Sequence, residues 1–139
     1  MSLYSVFDLA GSGMRAQSLR LNATSSNLAN AESVAGNEAA VYRARRPVFE
    51  TVLLESRSDL PEANAGVRVR GMAISDAPAI RRYQPDHPLA DRAGYTYGAN
   101  VNAVEEMVDM LSAARSYQSN VEALNTAKEM LLGTLRLGQ

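Results

Sequence analysis

Apolar side chains recur at alternating intervals of four and three residues at both ends of the chain, and the pattern lapses between them. At the C-terminal end the positions are Ala103, Met107, Met110, Ala114, Tyr117, Val121, Leu124, Lys128, Leu131 and Leu135, with Lys128 the one charged member. This is the heptad pattern of a helix that buries a seam along its length. Asn102 stands before it as an N-cap, with Glu105 three residues on in the manner of a capping box. Glu105, Glu106 and Asp109 crowd the first two turns while Lys128 and Arg136 lie towards the end, which complements the helix dipole. Gly138 supplies a stop. At about 1.5 Å per residue a helix over 103–137 spans roughly 50 Å, longer than a compact domain of this size usually holds. It is expected to project and to pack lengthwise on something else.

The N-terminal positions Leu3, Phe7, Ala10, Met14, Gln17, Leu21, Thr24, Leu28 and Ala31 repeat the spacing, with Gln17 and Thr24 as polar interruptions. Gly11 and Gly13 within it cost about 1 kcal/mol each relative to alanine. Either this helix is weak, or a partner approaches its backbone closely there. From Ser25 to Ala31 short polar side chains compete with the backbone, and Asn30 is placed to cap a C-terminus. The helix is predicted to end near it.

Between these ends glycine and proline recur and the period changes. Residues 35–40 read as a loop, Tyr42 to Phe49 and Val52 to Leu54 as strand or extended arm, and the polar stretch from Glu55 to Ala65, with Pro61, as an exposed mobile loop. Val67 and Val69 alternate with Arg68 and Arg70, whereas Met72 and Ile74 continue on the opposite parity, which predicts a bend or bulge at Gly71. Ile80 to Tyr83 and Gly94 to Tyr97 are expected to pair with that strand across the turn Pro85-Asp86-His87-Pro88. The predicted fold class is mainly α with a small β element. Terminal heptad helices, in segments 1–31 and 102–139, pair as a coiled coil, and a short β and loop insertion over 32–101 separates them.

Composition narrows the picture. Two Phe, six Tyr and no Trp in 139 residues leave little bulk for a globular interior. A net charge of −1 gives no overall pull towards nucleic acid or acidic membranes. With no cysteine, disulfides, thiolate metal sites and cysteine nucleophiles are excluded. The apolar run from Leu3 to Leu9 is broken by Ser5 and Asp8 and follows no basic region, so neither a cleaved signal peptide nor membrane insertion is expected.

His87, with Asp86 and Asp91 near it, could serve a metal or acid–base site, but a lone histidine between two prolines reads better as a hydrogen-bonded turn residue. Arg43, Arg45, Arg46, Arg68, Arg70, Arg81 and Arg82 concentrate positive charge in the middle third. Nucleic-acid binding needs such a footprint, yet no stacking platform or recognised module accompanies it, and a solvated strand face or salt bridges fit as well. No phosphate-binding glycine loop, nucleophilic triad or carboxylate pair on a recognisable scaffold appears, so neither an enzyme nor a cofactor is expected. The two seams could close on each other as a hairpin, but Val104, Val108, Leu111 and Leu132 widen the apolar stripe beyond a two-stranded seam. Patches offered to different patches on a neighbour build an open helical filament. A soluble adaptor that dimerises through its helices is the alternative.

Particular words also carry a resemblance. Ser26-Asn27-Leu28-Ala29-Asn30-Ala31 resembles the signature ending the first helix of bacterial flagellar rod and hook proteins. More specifically, Asp86-His87-Pro88-Leu89-Ala90-Asp91, Gly94-Tyr95, Asn100-Val101-Asn102, Val104-Glu105-Glu106-Met107-Val108-Asp109-Met110, Arg115-Ser116-Tyr117-Gln118-Ser119-Asn120-Val121 and Asn125-Thr126-Ala127-Lys128 resemble the later stretches of a flagellar basal-body rod protein. Ala99 stands where that family often has proline. The resemblance implies a subunit of the proximal rod, the periplasmic part of the flagellar drive shaft, exported unfolded and uncleaved through the flagellar type III apparatus. Its implied partners are copies of itself and the rod proteins FlgB, FlgF, FlgG and FliE. A hook or distal-rod relative is disfavoured by the short middle region. The residues expected at subunit interfaces are Leu3, Phe7, Met14, Leu21, Asn27, Leu28 and Asn30 on the first helix, and Met107, Met110, Ala114, Tyr117, Val121, Leu124, Leu131 and Leu135 on the second.

Overall fold

The computed structural model describes residues 3–54 and 64–137. Helix α1 runs Leu3–Ala29, then come strands β1 Val34–Ala35, β2 Arg45–Leu54, β3 Asn64–Ile74, β4 Ile80–Tyr83 and β5 Tyr95–Gly98, and helix α2 runs Ala103–Leu137. The chain is therefore mainly helical with a β element. Most of the exposed loop expected over 55–65 and the stop at Gly138 lie outside the described residues.

The two helices pack antiparallel. Asn27 meets Glu106, Arg20 meets Asp109, and Gly13 lies against Asn120, so α1 descends as α2 climbs. Gly13 is the close approach that the sequence left open: a Cβ there would sit 2.8 Å from the Asn120 amide nitrogen. Gly11 meets only the tip of Arg15, at 3.7 Å, so it is not a second such point. At its C-terminus α1 is capped by the Asn30 side chain, which donates to the Ser26 carbonyl at 2.8 Å. At the start of α2 the Asn102 side chain accepts from the Val104 N–H at 3.1 Å. Glu105 does face Arg46, at 4.0 Å.

The β segments form two separate sheets. Strands β2 and β3 make a long antiparallel hairpin, and β1, β5 and β4 make a small antiparallel sheet in that order. This corrects the expected pairing of 80–83 and 94–97 with the strand after residue 66. They pair with each other, Ile80 opposite Gly98 and Tyr83 opposite Tyr95, while β3 is taken by β2. A ten-residue partner satisfies more backbone groups of β3 than either four-residue segment could. The expected bulge is present: Val48 faces Gly71 and Phe49 faces Val69, leaving Arg70 as the extra residue beside Gly71.

The small core sits where the segments converge between the helix ends. Ala44, Ala99 and Val101 are buried together with Ala31 and Tyr42 packed against them. Ala99 is wholly buried and its N–H donates to the Ser33 carbonyl at 3.2 Å, a bond that proline at this position would remove.

Candidate assembly surface

The words that carried the resemblance do structural work at this junction. Asn27, fully buried, makes four hydrogen bonds: its amide donates to the Arg45 carbonyl (2.9 Å) and to Glu106 Oε2 (3.0 Å), and its Oδ1 accepts from the Tyr42 hydroxyl and the Arg45 N–H (both 2.9 Å). One side chain thus joins the end of α1, the start of β2 and the first turn of α2. Its carboxamide is satisfied as fully as its chemistry allows. Glu106, 2% exposed, is held from the other side by Arg46 at 3.7 Å. Arg46 also lies 4.0 Å from Asp109, whose other oxygen pairs with Arg20 at 2.7 Å. Asn100 fixes the next segment, accepting from the Ala44 N–H and donating to the Ala77 carbonyl, both at 2.8 Å.

The Asp86 to Tyr95 loop is built around Asp91. Its Oδ1 accepts from the Ala93 and Tyr95 amides at 2.8 and 2.9 Å, and its Oδ2 from the Tyr97 hydroxyl at 3.2 Å. The Tyr95 amide does most to hold the Asp91 carboxyl below its ordinary pKa of 3.8, with Ala93, Tyr97 and the Arg81 charge adding to it against desolvation. Gly94 closes the turn at φ 79°, where a side chain would be strained and would meet Tyr83 at 3.0 Å. His87 Nδ1 accepts from the Leu89 N–H at 3.1 Å, stitching the turn. Among the described residues no group of His, Asp or Glu is arranged to hold a metal ion.

The arginines of the middle third are largely engaged within the chain. Arg46 serves the acidic turn of α2, Arg68 donates to Glu50 at 2.7 Å, Arg45 lies over Tyr42, and Arg81 stacks 3.6 Å above the Tyr95 ring. Those four brace strands and turns.

On α2 the inward stripe is rotated from the one the large residues drew. Glu106, Ala113 and Ala127 are its buried members, with Asn120 against Gly13 completing the same seven-residue row. Sequence reading missed this row because its members are small or polar; Gly13 was the only hint. Met110, Val121, Leu124 and Leu131 are half-buried, whereas Met107, Ala114, Tyr117 and Leu135 are exposed. On α1, Phe7, Met14, Leu21 and Leu28 are half-buried, as is Asn30 just beyond its end; the Leu3 side chain is outside the described ones. The Asn27 side chain is wholly buried within the chain.

What remains outside is large and apolar. Val104, Met107, Val108 and Leu111, spaced as one face of a helix, are between 52% and 70% exposed. Met130, Leu132 and Leu135 extend exposed apolar surface at the far end. Among the described residues no helix is long and apolar enough to cross a membrane.

Comparison with known proteins identifies the family. A family model described as flagella basal body rod protein matches residues 7–36, and one described as flagellar basal body rod FlgEFG protein C-terminal matches residues 92–137. Flagellar basal-body rod protein FlgC of Salmonella typhimurium is 48% identical over 139 residues, covering all of both chains. The protein of that name from Escherichia coli O157:H7 is 49% identical over the same span. The Aquifex aeolicus protein is 38% identical over 131 residues, 94% of this chain and 92% of its own. The family is a structural one and not an enzyme family. Matched end to end by the first two of these relatives, and at both helices by the family models, the chain belongs to the flagellar basal-body rod protein FlgC family.

Proposed function

We propose that the chain is a structural subunit of the flagellar proximal rod and transmits torque by packing its helices against those of neighbouring subunits. The observation that carries this reading is the division of labour on α2: small and polar groups face α1, while Val104, Met107, Val108 and Leu111 stand exposed on the opposite side. Two faces on one helix suit a subunit that closes on itself and also packs on others. The contact residues are then the exposed Met107, Ala114, Tyr117 and Leu135, bordered by half-buried Met110, Val121, Leu124 and Leu131 and, on α1, by Phe7, Met14, Leu21 and Leu28. Leu3 belongs to this set by its position in the seam. Asn27 and Asn30 contribute indirectly, by fixing the end of α1.

Magnitudes favour a lattice over a free pair. Burying a large aliphatic side chain is worth about 1.5–3 kcal/mol, so a stripe of four supplies roughly 6–12 kcal/mol. Rigid-body association costs an estimated 4–15 kcal/mol. One such contact is marginal, whereas a subunit that touches several neighbours at once gains repeatedly for a single loss of freedom. Long helices packed along an axis resist twist because slippage breaks many contacts together. The neighbours proposed are copies of the chain and other basal-body components, among them FlgB, FlgF, FlgG and FliE, reached through the flagellar type III export apparatus without signal cleavage.

The test is deletion of the gene in its host, complementation with a tagged copy, and fractionation of basal bodies. Loss of motility with rods missing, and recovery of the tagged chain in the basal-body fraction, is the expected result. Intact rods without the chain, with closed dimers in solution, would favour a helical adaptor instead.

A further inference from the structure

The α1–α2 pair is short of the interlocking side chains that usually fix how two helices line up. Among the described residues of the two helices, the buried apolar side chains are all alanines: Ala10, Ala16, Ala23, Ala113 and Ala127. Side chains this small interlock little, and Ala16 borders the β2–β3 hairpin as well, so the buried apolar residues by themselves leave the register of the helices open. Polar contacts break the degeneracy. Positions 13, 20 and 27 of α1 are one heptad apart, and they meet Asn120, Asp109 and Glu106 of α2.

A slide of one heptad in either direction takes Asn27 away from Glu106, leaving a carboxyl that is 2% exposed without its amide donor. The same slide brings Asn120 opposite Val6 or Arg20 in place of Gly13, where its amide has room only because no Cβ is present. We infer that this polar ladder, Asn27 with Glu106, Arg20 with Asp109 and the Gly13 slot for Asn120, specifies the register of α1 against α2. The alanines supply close contact without a preferred alignment. Buried polar pairs cost stability and return specificity, a trade known from single polar residues in helical seams. The inference concerns the single chain and stands or falls apart from the rod reading.

The natural absence of cysteine makes the test direct. Ser18→Cys and Ser119→Cys, both at exposed positions, accept nitroxide labels on the purified full-length chain, and pulsed electron resonance reads the separation between the helices. The parent chain is expected to show one narrow distance. The double variant Asn27→Leu with Glu106→Leu is expected to keep its helix content by circular dichroism and to gain a second population, displaced by a slide of about 10 Å, seven residues at roughly 1.5 Å each. Glu106→Gln, which retains an acceptor for Asn27, is expected to hold the parent distance. Should the double variant lose its helices, Gly13→Ala decides: it is expected to broaden or shift the distance, and Asn120→Ala added to it to restore the parent value. A broad distribution in the parent, a folded double variant with the parent distance alone, or a Gly13→Ala chain indistinguishable from the parent overturns the inference.

Discussion

A single carboxamide ties three elements of this chain together. Asn27→Ala removes four hydrogen bonds and leaves the Tyr42 hydroxyl, the Arg45 backbone and the Glu106 carboxyl to find other partners inside the protein. Buried groups stripped of partners typically cost 1–3 kcal/mol each, though relaxation recovers part of that, so we predict a loss on the order of 3 kcal/mol in urea unfolding. Asn22, exposed on the same helix, is the control: Asn22→Ala should not lower the midpoint, since alanine is the better helix former. Asp91 gives a prediction in pH. Its carboxyl is held below the ordinary value by hydrogen bonds to the charged form, so the stabilisation is complete above about pH 4 and fades as pH falls through the lowered folded value. The amide resonances of Ala93 and Tyr95 should titrate below the ordinary carboxylate range, and Asp91→Asn should abolish that titration. At this scale the sequence was legible as words and not as roles. Asn27 stood out in Ser26-Asn27-Leu28, yet nothing in the linear pattern reveals that Tyr42, Arg45 and Glu106 converge on it, because those contacts bridge 15 to 79 positions of chain.

Helices were legible at the scale of elements, and their orientation was only half so. Heptad spacing, Asn102 and Asn30 mark where α1 and α2 lie, since periodicity and capping are local. Which face of α2 meets α1 was not legible, because the reading follows bulk. Much of the bulk stands exposed or half-buried, and the inward row of Glu106, Ala113, Asn120 and Ala127 is silent to a hydrophobicity count. Strand pairing failed for another reason: short segments such as 80–83 carry too few residues to declare a partner, and proximity in space decides. Gly133 tests the helical end of the account. It lies within α2 with nothing within 4 Å of where a Cβ would stand, so Gly133→Ala should raise stability by up to about 1 kcal/mol. Higher helicity by circular dichroism and a raised midpoint are the expected signs. A drop would mean that a neighbouring group occupies that space.

The whole molecule folds lightly on itself and leaves many of its larger apolar residues exposed. Its core is a handful of alanines and valines around a polar junction, while isoleucine, leucine, methionine and phenylalanine side chains lie open along α2 and the β2–β3 hairpin. Such a distribution is a liability in a free monomer and a means of cohesion in an assembly. The central claim is that the outward face of α2 drives incorporation into the rod. The most direct measurement expresses Met107→Asp with Leu111→Asp in a strain lacking the gene and quantifies the tagged chain in purified basal bodies. Circular dichroism of the same purified variant supplies its folding control. Because both side chains stand off the α1 contact, the account predicts a parent-like helical spectrum with the variant missing from basal bodies and motility lost. A folded variant recovered in basal bodies at the parent's level, with normal motility, would contradict it.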